Sequence, residues 1–352
     1  MRLPAVDVEA YNTELKDDEG FIGDRANKGA FRRFLDEWRK PLQEIGEDPF
    51  GDVETTELTK KKLDALLAGG DPEAAGVVQG AIESFAQELS LVLQRFLKLR
   101  GWKDAERIVV GGGFSGRRVG ELAIGRASVL LKAEKIKVAI TTIRNEPDEA
   151  GLLGAIQLAP PWIFKAHDAI LAVHIGGTNI RVGIVHLNMK RAADFSKARI
   201  GKFELWRHSE EEKLSRDDAI QELVQMIGRL VRAADKEHLN LAPFIGIGCP
   251  GRIEPDGSID RGAQNLPGNW ESSRFNLPAT LIEAIPRIGE FETTVVMHND
   301  AVVQGLSEVS AMQDVERWGI FTIGTGLGNA LFANRKRRPG PELFAPSALY
   351  RR

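Results

Sequence analysis

Apolar residues recur along this chain with two different periods, and each change of period marks an element. Between residues 71 and 101, Val78, Ile82, Phe85, Leu89, Val92 and Phe96 fall three or four apart, which predicts a long helix with one buried stripe. Asp71 supplies its N-cap, Pro72 its first helical position and Gly101 its stop. The run "RIVV" then leads straight into Gly111, Gly112 and Gly113, a helix follows from about Gly116, and "KIKVAITTI" reads as the next strand. Pro147 opens a further helix, "DEAGLLGAIQL".

The stretch "AILAVHIGGTNIRVGIV", residues 169–185, predicts a hairpin whose strands "ILAVHI" and "IRVGIV" meet at Gly176-Gly177-Thr178. "RIGKFELW" is its neighbour strand. Ser215 and Asp218 form a capping box ahead of a helix with Ile220, Leu223, Val224, Ile227 and Leu230 on one face. There follow the strand "FIGIGCPG", an irregular stretch, the strand "TTVVMHND" and the helix "AVVQGLSEVSAM". "GIFTIGTGLGNALFA", residues 319–333, repeats the plan of the first hairpin. The chain therefore holds two copies of one α/β unit. The second copy stops after its hairpin, and residues 71–158 hold the helix, strand, helix, strand and helix that it lacks.

Composition narrows the class. A chain of 352 residues with 43% hydrophobic content has room for two domains, and a net charge of −3 provides no basic field for nucleic acid or anionic membranes. The single cysteine, Cys249, excludes an internal disulfide framework and a multi-cysteine zinc site. No apolar run reaches the roughly 18 residues of a membrane span, and the acidic amino end is unlike a signal peptide. A cytoplasmic protein with small-molecule partners is expected. The organisation expected is an irregular segment at 1–25, a larger domain from 26–145 completed by 306–335, a smaller domain at 146–305, and a tail at 336–352 that is either a solvated extension or a clamp.

The glycine turns are candidate phosphate cradles, because backbone N–H groups without a neighbouring Cβ can approach an anion closely. Gly176, Gly177 and Thr178 would face one side of a nucleotide and Gly324, Thr325 and Gly326 the other; a plain hairpin turn is the alternative for both. Asp300 ends an apolar strand ahead of a helix, which suits either a general base at a sheet edge or an N-cap. Gly112 and Gly113 suit either a nucleotide contact or a strand-to-helix turn. His174 precedes the first glycine turn, with pairing to a neighbouring acid as its plain structural reading.

The segments "HIGGTNIR", "GIGCPGRIEPDGSI", "NLPGNW", "HNDAVVQGLSE", "TIGTGLGNALF", "IVVGGG" and "DEAGLLGAIQLA" together resemble the signatures of the ROK family of sugar kinases and related repressors, over roughly residues 70–333. The resemblance implies a two-domain, actin-like (ribonuclease H-like) α/β fold, here in circularly permuted order, and ATP- and Mg²⁺-dependent phosphorylation of a hexose. It implies that Asp300 takes the proton from the sugar hydroxyl, that Asn299 and Asn265 contact the sugar, and that Gly112 and Gly113 lie on the adenosine side. A homodimer is the family's habit. In the family an aspartate associated with magnesium stands where this chain has His174. A neutral nitrogen ligand suits Mg²⁺ poorly, and losing that charge would cost on the order of 10²–10³ in turnover. The family's E-x-G-H sugar loop and zinc-binding cysteines do not appear. A sugar kinase with impaired catalysis is therefore expected first, a non-catalytic sugar or nucleotide sensor second, and a transcriptional regulator last.

Overall fold

The computed structural model describes residues 1–335, so the expected tail at 336–352 lies outside the described residues. Ten strands build the two main sheets: β1 (Val6–Tyr11), β2 (Arg107–Gly111), β3 (Ala139–Thr142), β4 (Ala169–Ile175), β5 (Ile180–His186), β6 (Arg199–Trp206), β7 (Leu241–Cys249), β8 (Thr294–Asn299), β9 (Arg317–Ile323) and β10 (Leu327–Asn334). The helices are α1 (Lys28–Glu44), α2 (Lys60–Gly69), α3 (Pro72–Leu97), α4 (Arg118–Ala133), α5 (Pro147–Gly154), α6 (Arg216–Lys236), α7 (Leu277–Ala284) and α8 (Asp300–Leu306).

Each sheet has five strands, in the orders β1-β10-β9-β2-β3 and β8-β7-β4-β5-β6. In the second, β4, β5 and β6 form an antiparallel meander and β7 and β8 add in parallel on the other side of β4. The first sheet has the same plan with β9 and β10 as the hairpin, β1 as the third strand and β2 and β3 as the parallel pair. One sheet is thus drawn from a continuous stretch and the other from both ends of the chain. The strand β1 corrects the expectation of an irregular segment at 1–25. Val6 and Val8 are buried and the strand pairs with β10 over Val6↔Asn334 to Tyr11↔Ala330, but its short apolar alternation among charged residues carries little signal.

The parallel strands are apolar on both faces because both are covered. Ile108, Val110, Phe321 and Ile323 face α3 and α4, while Val109, Ile320 and Phe332 face the opposite way, toward α5 and α8. The far side of the second sheet, with Leu171, Val173 and Ile247, is covered by α6 and α7. Helices α5 and α8 therefore lie between the two sheets. Gly154 lets them touch: a Cβ there would stand 1.7 Å from the Val303 carbonyl.

The predicted stripe of α3 is buried throughout, its N-cap Asp71 accepts from the Ala74 N–H at 2.8 Å, and the Ser215–Asp218 capping box is formed. Three elements are shorter than expected. The helix after Asp300 ends at Leu306 and resumes only as a 3₁₀ turn at Val309–Ala311, α5 gives way to a 3₁₀ turn at Ala155–Leu158, and the strand expected over "KIKVAITTI" is confined to Ala139–Thr142. Helices α1 and α2, in a stretch where sequence patterning shows little, pack on α3 through Ala30, Phe31, Leu35 and Leu63.

Candidate active site

The first turn of α8 stands between the second hairpin and β7. On one side, a Cβ at Gly328 of β10 would lie 3.0 Å from the Ala301 Cβ and 2.3 Å from the Thr322 hydroxyl. On the other, a Cβ at Gly248 of β7 would lie 3.2 Å from Val303 and 3.4 Å from the imidazole of His174. The residue that opens this turn is Asp300.

Asn299, not Asp300, is the N-cap of α8: its Oδ1 accepts from the N–H groups of Ala301 and Val302 at 3.0 and 3.2 Å. Its Nδ2 donates to the Gly251 carbonyl at 2.9 Å and to Asp300 Oδ1 at 3.1 Å. Asn299 is buried with every polar side-chain atom bonded to protein, and its bond to Asp300 orients that carboxylate. Capping by Asn299 leaves the Asp300 carboxylate available, partly buried at the edge of the sheet. Desolvation pushes its pKa from 3.8 up to about 6, against the hydrogen bonds of the helix start and Asn299. Beside it, Cys249 is a buried free thiol whose pKa is raised by burial and then by Asp300.

The glycine turns differ in how open they are. Nothing would meet a Cβ at Gly326 within 4 Å and only the Gly326 carbonyl approaches one at Gly324, so this cradle opens to solvent together with exposed Thr325. In the first turn Thr178 is exposed, Gly176 accepts from His208 Nε2 at 2.9 Å, and Asn265 lies against Gly177, 3.2 Å from a Cβ there. Asn265 is therefore beside the glycine turn of the first hairpin. Gly112 has φ +82° and is pressed onto the Ile323 backbone, with a Cβ contact of 2.5 Å. That is a packing role, whereas Gly113 is open apart from Lys60.

His174 has no acid partner. A Cβ at Gly151 would meet its Nδ1 at 2.3 Å, and that nitrogen is buried without a hydrogen bond. Desolvation and then the charge of Arg181 lower its pKa from 6.5 to about 3, so it is neutral, and the expected pairing with an acid is not present. The acid nearby, Asp148 at the start of α5, is taken by Arg181 at 2.6 Å. This donor set does not fit magnesium, which needs anionic oxygen: the imidazole is neutral, its neighbour is a cation, and the adjacent carboxylate is already paired. Among the described residues, no group of three or more His, Cys, Asp or Glu is placed to hold a metal.

The amino end also reaches this region. Tyr11 stacks edge-on against His298 at 5.0 Å and donates to the Ile253 carbonyl at 2.9 Å. Asn12, at φ 47°, lies 3.3 Å from where a Gly262 Cβ would stand, and the buried Asn329 clamps the backbone of Thr13 from both sides at 3.0 Å. Sequence reading missed these residues. The signal available was the polar run "YNTE" directly after three alternating apolar positions.

The ROK family profile matches residues 170–347, just over half of the chain. The chain belongs to the ROK family. No curated protein matches it. Among solved structures this ROK protein is similar to a ROK family glucokinase from Streptomyces griseus in complex with glucose and AMPPNP, at 21% identity over 49% of this chain and 47% of that one, with a TM-score of 0.35. It is similar to a ROK hexokinase from Thermus thermophilus at 23% identity, 48% and 50% coverage and a TM-score of 0.34. A ROK family transcriptional regulator, a homologue of the Escherichia coli MLC protein, matches at 16% identity, 47% and 37% coverage and a TM-score of 0.36. The matches thus span half or less of each solved chain. No helix of this ROK protein is long and apolar enough, among the described residues, to cross a membrane.

Proposed function

We propose that this ROK protein phosphorylates a hexose hydroxyl with ATP as donor. The observation that carries the reading is Asp300, a carboxylate with its pKa near 6, held at the start of a helix that packs on the second glycine hairpin and, across Gly248, faces His174 of the first. Phosphoryl transfer demands little covalent chemistry from a protein, only placement of donor and acceptor, neutralisation of charge and a base at the attacking oxygen. Gly324–Gly326 and Gly176–Thr178 hold the polyphosphate from two sides. Asn265 and Asn12 line the sugar end, Asn299 fixes Asp300 by hydrogen bonding, and Asp300 accepts the hydroxyl proton. The chain is read as a circularly permuted family member: the ROK match begins at β4, and the third to fifth strands of the other sheet come from residues 6–142.

A second reading, a sensor that binds sugar or nucleotide without turnover, is favoured by His174. A coupled ADP-release assay over a panel of hexoses tests the pair of readings: hexose-dependent ADP release supports the kinase, and binding of sugar and ATP with no release selects the sensor. In the kinase, His174→Asp adds an anionic oxygen beside Gly151, and turnover in Mg²⁺ is expected to rise on the order of 10²-fold relative to EDTA. An unchanged Mg²⁺ response in that variant would show that position 174 does not govern the metal.

A further inference from the structure

Two lysines from the amino-terminal helices converge on the glycine turns of the first sheet. Lys28 opens α1, and its backbone N–H donates to the Gly324 carbonyl at 2.9 Å. Lys60 opens α2, and its Nζ donates to the Gly113 carbonyl. These carbonyls follow the adjacent parallel strands β9 and β2, so the Lys60 ammonium and the start of α1 stand at one sheet edge beside the open cradle at Gly324–Gly326, close enough for the charge of Lys28 to be felt at Lys60. Neither lysine makes an ion pair among the described residues. Burial lowers the pKa of Lys60, and after burial the charge of Lys28 lowers it further; burial and then Arg32 lower that of Lys28. The acids that Lys60 feels are already engaged: Asp64 caps α4 through the Arg118 and Val119 N–H groups, and Asp148 is held by Arg181. The Nε of the buried Arg181 has no partner at all. Arg181 has Asp148 as its counter-ion, whereas Lys28 and Lys60 are crowded, partly desolvated cations with no ion pair among the described residues, and such a pair marks a place prepared for an anion.

We propose that Lys28 and Lys60 neutralise the polyphosphate of the nucleotide directly, so that this protein binds ATP free of divalent cation. The inference rests on the kinase or sensor reading only for the adenosine part of the ligand; the polyphosphate site stands on its own residues. It supplies what the site lacks, since a neutral His174 cannot recruit Mg²⁺ and free ATP carries about two more negative charges than its magnesium complex. A cation-lined, carboxylate-poor cradle favours the more highly charged form.

Calorimetric titration of the full chain with ATP, adenosine and inorganic tripolyphosphate, each in EDTA and in Mg²⁺, tests this. ATP and tripolyphosphate are expected to bind at least as tightly in EDTA as in Mg²⁺. Lys28→Ala and Lys60→Ala each weaken both ligands about tenfold, as for a lost charge-assisted hydrogen bond. Adenosine binding and the melting temperature stay unchanged, and Lys60→Arg keeps most of the affinity. Binding that requires Mg²⁺, or that ignores both lysine substitutions, overturns the proposal while leaving the kinase reading intact. Lysine-dependent binding of tripolyphosphate without binding of ATP does the reverse: it keeps the cation site and removes the nucleotide reading. Absence of binding by any ligand removes both.

Discussion

Asp300→Asn lowers hexose-dependent ADP release by about 10²–10⁴-fold while ATP affinity stays the same, because only the proton acceptor is lost. Asparagine has nearly the same shape and keeps the contact with Asn299, so the packing of α8 between the sheets is preserved. The wild-type rate should rise with pH through about 6 and level off above it, since the carboxylate is the active form. Stability runs the other way. A folded-state pKa raised from 3.8 to about 6 means that the contribution of this group is complete below the unfolded-state value and is lost as pH rises through 6. At pH 8 the variant therefore melts no lower than the wild type. Full turnover in Asp300→Asn would end the assignment of the base, and a low rate combined with a lower melting temperature would point to damage instead of chemistry.

Arg39→Met is expected to destabilise the amino-terminal arm by about 3–5 kcal/mol, the cost of leaving one partner of a buried ion pair alone. Arg39 is only 2% exposed and Asp48 has 5% of its side chain exposed. The guanidinium reaches Asp48 at 2.9 Å, Thr55 at 2.6 Å and the Val53 carbonyl at 2.7 Å, and it lies over the Phe50 ring at 5.1 Å. It ties the whole connection between α1 and α2 to one group. Burial would push the Asp48 carboxyl up, but the bonds from Arg39, the Phe50 N–H and Gln43 outweigh it and hold the pKa low. The pair accordingly contributes stability above the ordinary carboxylate range and loses it as pH falls through the folded-state value. Urea unfolding at pH 7 and pH 3 checks this: a large deficit at pH 7 that shrinks at pH 3 is expected, and equal curves would refute the clasp. Because the clasp spaces Lys28 from Lys60, its loss should also weaken tripolyphosphate binding.

The central parts of the site were legible in the sequence for a reason of period. The hairpins at 169–185 and 319–333 are buried on both faces and cornered by glycine, so their apolar runs and turns are unambiguous, and "TTVVMHND" puts an acid at a strand end wherever the strand goes. Asn299 shows the limit. An "ND" pair leaves open which residue caps and which stays free, and only the carbonyl of Gly251, from a distant loop, decides it. His174 shows another. Sequence places it ahead of a glycine turn, but its neutrality comes from Gly151 and Arg181, which belong to other elements.

By itself the sequence determined the repeated α/β unit, the two glycine corners and the acid at 300, because strand burial and turn chemistry are set by residues adjacent in the chain. Tertiary structure alone decided that Val6–Tyr11 pairs with a hairpin more than 300 residues later, that Asn12 reaches the loop at Gly262, and that Lys28 and Lys60 stand near one another with no ion pair among the described residues. Those facts depend on pairings between segments far apart in sequence, where the local pattern is short and polar, and backbone hydrogen bonding and charge crowding have no signature in the order of residues.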